Sequence, residues 1–243
     1  MGKTAAALII GNELLSGKIQ EKNLAFLGKE LFNLGIRMSR VVMCLDDVDT
    51  IASDLNALRA AHDYVFTSGG VGPTHDDMTL PAVAHAFGRK LVRAEEIASL
   101  IRGYHGERTT EAHLRMADVP EGAELISNEH VRWPTVAIEN VFIFPGVPEI
   151  FRMKFAVLRE RLSGGQRYYS RASYTLCDEG QIAPLLADLE RNAVGVSIGS
   201  YPTFSQTDYR TKVTFDGADL EACMRVQSDF EAAISREMLV RSE

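Results

Sequence analysis

The sequence predicts an α/β protein in three layers, a mostly parallel sheet with helices on both faces, followed by a small α+β unit. Three observations predict it. Ala5 to Ile10 is a continuous apolar run, too short for a helix and stopped by Gly11, as in a strand buried on both faces. Leu24, Leu27, Leu31 and Leu34 then recur at three- and four-residue steps, the spacing of an amphipathic helix. Strand and helix patterns go on alternating, which requires parallel strands joined by right-handed crossovers.

In chain order, the first strand covers Ala5–Ile10 and the first helix Gln20–Leu34, with Gly35 where a left-handed cap is expected. The β-branched stretch Ile36–Cys44 reads as the second strand. Asp47 can cap a helix with Ile51, Leu55 and Leu58 on its inner face, and Tyr64–Phe66 supplies a third strand. Helices are expected at Met78–Phe87 and Glu95–Tyr104, and a buried strand at Val141–Phe144, stopped by Pro145-Gly146-Val147-Pro148. Ser163-Gly164-Gly165-Gln166 reads as a flexible joint between domains 1–162 and 167–243. Beyond it the pattern is strand (Arg167–Leu176), helix (Glu179–Arg191), strand (Val194–Ser200), strand (Tyr209–Phe215) and helix (Asp219–Met238).

The 243 residues, 46% hydrophobic and 24% charged, are enough for a real core and carry no bias toward disorder. No apolar stretch approaches a membrane span and no signal segment opens the chain, so the expected address is cytoplasmic, without a membrane partner. Cys44, Cys177 and Cys223 match no metal spacing and read as reduced thiols. A net charge of -7 offers no electrostatic footprint for DNA or RNA. A small phosphorylated ligand then needs a local device to overcome the overall field.

Thr67 to Thr79 supplies one. Gly69, Gly70 and Gly72 let backbone N–H groups approach a ligand, and the start of a helix adds partial positive charge, so the loop suits a phosphate. It is neither a Walker A loop nor a dinucleotide fingerprint, because the Lys-Ser/Thr pair and the third spaced glycine are missing. The plain alternative is a tight turn with Asp77 as helix cap. Asp76 beside Asp77 is electrostatically wrong for an anion cradle, since like charges about 4 Å apart repel by about 4 kcal/mol at an effective dielectric of 20. Mg²⁺ or another divalent cation, held by these carboxylates and by phosphate oxygens, removes the contradiction. In an open sheet the loops at Gly11, Leu45 and Thr67 share one rim, so Asn12, Glu13, Ser16, Asn23, Asp46 and Asp47 join the same edge. Each also has a plainer reading as a solvated acid, a first-turn residue or a cap.

The run Ile9-Ile10-Gly11-Asn12-Glu13-Leu14-Leu15-Ser16-Gly17 with Asn23, the pair Asp46-Asp47, the loop Ser68 to Thr79 and Pro145-Gly146-Val147-Pro148-Glu149 together resemble the molybdopterin-binding fold of MoaB and MogA. They are more closely similar to the N-terminal domain of the competence/damage-inducible CinA-type family. The tail, with Gly199-Ser200-Tyr201-Pro202, resembles the small domain that follows it. The resemblance implies a metal-dependent pyrophosphatase acting on nucleoside diphosphate linkages such as ADP-ribose or FAD. The alternative it implies is binding or transfer of molybdopterin, or its nucleotide, without hydrolysis. On that resemblance Glu13, Asp46 and Asp76 are the catalytic acids, with Glu13 or Asp46 as the base. Asn12, Ser16, Asn23, Ser68, Gly69, Gly70, Gly72 and Thr74 would contact ligand, and Asp76 and Asp77 would hold metal. The expected cofactors are Mg²⁺ or another divalent cation and K⁺. The expected partners are a small nucleotide or pterin ligand and further copies of the chain.

CinA-type proteins often continue into an amidase domain, and the chain ends at Glu243 without room for one, so deamidation is not expected. His75 reads as an exposed helix-start residue whose near-neutral pKa also permits catalysis. Trp133 is read as packing in a hairpin, the Met and Phe side chains of Phe151–Phe155 as core, and Pro145–Pro148 as a rim wall or a plain connection.

Overall fold

The computed structural model describes residues 2–162, 166–205 and 208–243, and the chain divides into two compact units, Met1–Gly165 and Gln166–Glu243. Of the joint expected at 163–166, residues 163–165 lie outside the described residues. In the first unit the chain runs β1 (Thr4–Ile10), α1 (Asn12–Leu15), α2 (Asn23–Asn33), β2 (Arg37–Cys44), α3 (Val48–Ala61), β3 (Tyr64–Ser68) and α4 (Thr79–Ala86). It continues through β4 (Leu91–Arg93), α5 (Glu95–His105), α6 (Glu111–Arg115), β5 (Asp118–Pro120), β6 (Glu124–Ile126), β7 (Thr135–Ile138), β8 (Val141–Phe144) and α7 (Pro148–Arg159).

Six strands form one sheet in the order β2-β1-β3-β8-β7-β6. Successive β1 side chains point to opposite faces, so Ala6, Leu8 and Ile10 join a core built with α3, α4 and α5, while Ala5, Ala7 and Ile9 join another built with α2 and α7. Water is excluded from both faces, which is why β1 is an unbroken apolar run.

β2, β1, β3 and β8 are parallel; β7 pairs antiparallel with β8, and β6 antiparallel with β7, so that β7 alone runs against the rest. Only Glu139 and Asn140 separate β7 from β8, too short a link for a crossover, and Glu139 turns the chain with φ 51°. Among the described residues no helix is long and apolar enough to cross a membrane.

Several boundaries differ from expectation. The first long helix begins at Asn23 rather than Gln20, because the Glu21 carboxylate accepts the N–H groups of Asn23 and Leu24 at 2.7 and 2.9 Å and caps it from outside. Asp77 does not cap α4; its Oδ2 accepts the Thr74 N–H instead, and the α4 cap residue is Met78. Met153 is 42% exposed, although Phe151 and Phe155 are core. Gly35, at φ 71°, and the Asp47 cap stand as expected.

The second unit runs β9 (Tyr169–Thr175), α8 (Glu179–Asn192), β10 (Val196–Pro202), β11 (Thr211–Gly217), α9 (Leu220–Ala233) and β12 (Leu239–Ser242), with an antiparallel sheet ordered β10-β11-β9-β12. The helix expected to reach Met238 stops at Ala233, where Ile234 turns extended and the chain returns to pair with the free side of β9. All three cysteines are free and buried.

A close backbone approach lies where β3 ends. Gly69 has φ 108°, and a Cβ there would stand 2.1 Å from the Ile10 carbonyl oxygen of β1. Gly69→Ala is therefore expected to cost about 3 kcal/mol or more, through forbidden backbone geometry and a clash that no rotamer relieves. Thermal or urea unfolding of the variant checks this; an unchanged midpoint would contradict the packing.

Candidate functional site

The carboxyl ends of β1, β3 and β8 open on a cavity of about 890 Å³ in the first unit. That volume accommodates a ligand of dinucleotide class. Its floor is the glycine loop, where Gly69 and Gly70, at φ 108° and 62°, turn the chain away from β3. Gly69 donates to Phe144 O, and the buried Thr79 hydroxyl donates to Gly69 O at 2.7 Å, so the loop is tied to β8 and α4. Among the described residues the N–H groups of Gly70, Val71 and Gly72 have no protein acceptor. Three successive free donors at a cavity form a nest for an anion.

Carboxylates crowd this loop. A Cβ on Gly72 would meet Asp77 Oδ2 at 2.7 Å, one on Gly70 would meet Asp46 Oδ1 at 3.4 Å, and one on Gly11 would meet Glu13 Oε1 at 2.7 Å. Asp46 Oδ2 accepts the Asn12 N–H at 2.7 Å, while the Asp46 N–H donates to Asn12 Oδ1, joining the loops after β1 and β2. Burial raises the Asp46 carboxyl above its ordinary value; the Asn12 bond opposes this, and the negative charges of Glu13, Asp76 and Asp77 add to it. The four acids thus share one electrostatic neighbourhood. Asp76 is held the other way, below the usual range, chiefly by the Thr74 hydroxyl.

Glu13, Asn23, Ser68, Gly69, Gly70, Gly72 and Asp77 line the cavity. Asn12, Ser16, Asp46, Thr74 and Asp76 do not. Ser16 is exposed and donates to Glu13 O, Thr74 holds Asp77, and His75 and Asp76 lie exposed on a turn. Asn23 is buried, and its Nδ2 bridges Ser68 Oγ and Gly146 O, both at 2.9 Å. A carbonyl can only accept, so this bond assigns Nδ2 and leaves Oδ1 buried without a partner. Pro145 to Pro148 are part of the cavity wall.

Among the described residues no group of three His, Cys, Asp or Glu side chains stands ready to hold a metal by protein atoms alone. The donor set fits the other mode, in which one or two carboxylates are completed by phosphate oxygens and waters. Asp77 offers its carboxylate at the cavity and Asp76 follows one residue behind; uncompensated charge around Asp46 is what such an ion would neutralise.

Sequence reasoning passed over the cavity's cations and weighed Trp133 as packing ahead of stacking. Lys22, Arg152 and Lys154 line the cavity, as does Trp133, which is half-buried in the connection between β6 and β7 and also packs on the core. Lys154 is 6% exposed, and its Nζ donates to the Pro134 carbonyl. Among the described residues no carboxylate pairs with it, and burial pushes its ammonium down to about 8. A signal was present: Phe151, Phe155 and Leu158 form the inner face of α7, and Lys154 falls on that same helical stripe.

The family model described as a probable molybdopterin binding domain matches residues 6–163, and that described as the middle domain of FAD synthase matches 167–243. A protein of Archaeoglobus fulgidus is 33% identical over 226 residues, covering 93% of this chain and 96% of that one. A probable FAD synthase of Caenorhabditis elegans is 34% identical, covering 88% of this chain and 46% of its own, so the chain spans about half of that relative. The crystal structure of the protein CinA from Thermoplasma acidophilum superposes with a TM-score of 0.61 at 31% identity, covering 65% of this chain and 97% of that one.

Lys154 has a measurable thermodynamic signature. A lysine whose folded pKa lies near 8 rather than 10.5 binds its proton less well folded than unfolded, so its charge opposes folding below pH 8. That penalty fades as pH rises toward 10.5 and both states become neutral. Allowing for the lost bond to Pro134, Lys154→Met is expected to be more stable than the parent at pH 7 by about 1–3 kcal/mol. The difference should shrink at pH 9.5; urea titrations of both chains at the two pH values check it.

Proposed function

The chain belongs to the probable molybdopterin binding domain family, and from that premise we propose that it is a metal-dependent hydrolase of the diphosphate linkage in nucleotides such as ADP-ribose or FAD. The observation that carries this reading is the glycine loop, where three N–H donors without a protein acceptor among the described residues lie beside the carboxylates of Asp46 and Asp77. A neutral ligand would leave that charge uncompensated, whereas a diphosphate with its cation satisfies donors and acids together. The named FAD synthase relative supports the substrate class, FAD being a diphosphate-linked dinucleotide.

In this reading the N–H groups of Gly70, Val71 and Gly72 would receive the phosphate oxygens, and Asp77 would hold the divalent cation at the cavity, with Asp76, outside it, acting only through waters. When bound, that ion would neutralise phosphate charge and favour attack on phosphorus. K⁺ is a further candidate for the charge around the loop. Asp46 is the preferred base: it stands behind the glycine loop rather than on the cavity wall, with one oxygen anchored by Asn12 and the other beside Gly70, one of the N–H donors to the phosphate. Asp46 takes a proton from water as the water oxygen bonds to phosphorus and the P–O–P bridge breaks, leaving two phosphomonoesters.

Incubating the protein with ADP-ribose or FAD and Mg²⁺ or Co²⁺ is expected to release AMP, resolved by chromatography. Asp46→Asn is expected to lower kcat by about 100-fold or more. A comparable loss in Glu13→Gln with Asp46→Asn active would move the base to Glu13. No turnover of any sugar or flavin diphosphate, together with tight pterin binding, would replace hydrolysis by pterin binding or transfer.

A further inference from the structure

Resting on the reading that the glycine loop holds a diphosphate, we infer that Lys154 and Trp133 form the subsite for the ligand's ring: a planar heteroaromatic group stacks on Trp133 and accepts a hydrogen bond from the Lys154 ammonium through a carbonyl oxygen or ring nitrogen. The argument starts from a charge without a partner. Lys154 is more than nine-tenths buried, lines the cavity, and has one protein acceptor, the Pro134 carbonyl, among the described residues. An ammonium carries three donors, so two are left for something that enters the cavity. Burying such a group without a carboxylate opposes folding, and a binding role would offset that cost.

The surroundings identify the class of acceptor. Pro134 follows Trp133 directly, so the residue that anchors the amine also fixes the aromatic wall beside it. Ile97, Met116, Val136 and Ile143 complete an apolar enclosure that suits a flat ring and disfavours a second phosphate. The topology supplies the spacing. The glycine loop leaves β3 and Trp133 precedes β7, with β8 between them, so the two subsites are separated by two strand spacings, about 10 Å. A base or flavin joined through a sugar to a diphosphate spans a distance of that order. Arg152 and Lys22, on the same cavity, are exposed at its mouth and do not duplicate the buried amine.

Trp133 is the only tryptophan in the chain, so its fluorescence reports on this subsite alone. The full chain is titrated with FAD, ADP-ribose, adenosine and inorganic pyrophosphate in the presence of Mg²⁺, with calorimetry for affinity and Trp133 emission for location. At least one ring-bearing ligand is expected to change the emission on saturation, while pyrophosphate binds without changing it. Lys154→Met is expected to weaken that ring-bearing ligand about tenfold or more and to leave pyrophosphate affinity within about twofold. Trp133→Leu should weaken it by a similar factor. An equal loss for pyrophosphate in Lys154→Met would make the amine a phosphate ligand and overturn the inference. Saturation by every ring-bearing ligand without a change in Trp133 emission would overturn it as well. Ring binding that survives in a chain without hydrolytic activity supports this subsite while rejecting the proposed reaction, so the two readings fail separately.

Discussion

Two backbones meet at Gly69 with no room for a side chain between them, and most of the candidate site follows from that contact. The Ile10 carbonyl of β1 lies against Gly69, whose N–H is held by Phe144 of β8 and whose carbonyl is held by Thr79 of α4. Four elements are thereby locked to one residue. The glycine loop leaves the sheet at a fixed angle, Gly70 comes against Asp46, and the amide groups that follow line the cavity. A bulkier residue at position 69 would separate β3 from β1 at the point where the rim is built.

The rim is built with charge imbalance at both ends. Burial and the carboxylates of neighbouring loops raise Asp46, and on α7 an ammonium is buried with no carboxylate partner among the described residues. Neither arrangement favours the empty protein, since uncompensated charge in a partly dry cavity is unstable relative to the same groups in water. A ligand that brings a cation and anion to one end and a hydrogen-bond acceptor to the other relieves both. Stability given up at specific positions around a cavity is a common mark of a binding site.

Much of the fold was legible because it depends on local periodicity. β1 was recognised from its unbroken apolar run, α2 from its leucine spacing with Gly35 at the end, and α3 from Asp47 and its inner face. What escaped were elements whose existence is decided by a distant neighbour. β7 alone runs against the other strands of the six-stranded sheet because Glu139 and Asn140 allow no crossover to β8, and β12 forms because β9 offers an open ladder. Such pairings leave little mark on the short segments that make them.

The amino-acid order alone determined that a glycine loop flanked by acids would close a buried strand, because φ > 0 and close approach demand residue types that are visible one by one. The family resemblance was carried by those same residues, and the match to residues 6–163 agrees with it. Only the tertiary structure decided which acids enter the cavity: Asp77 and Glu13 line it, while Asp76, adjacent in sequence to Asp77, stays outside. Only the tertiary structure turned Lys154 from one charged residue on a helix into a buried amine beside Trp133. The physical reason is that a side chain's partners and dielectric are set by what packs around it, and Pro134 lies 20 positions from Lys154 in the chain.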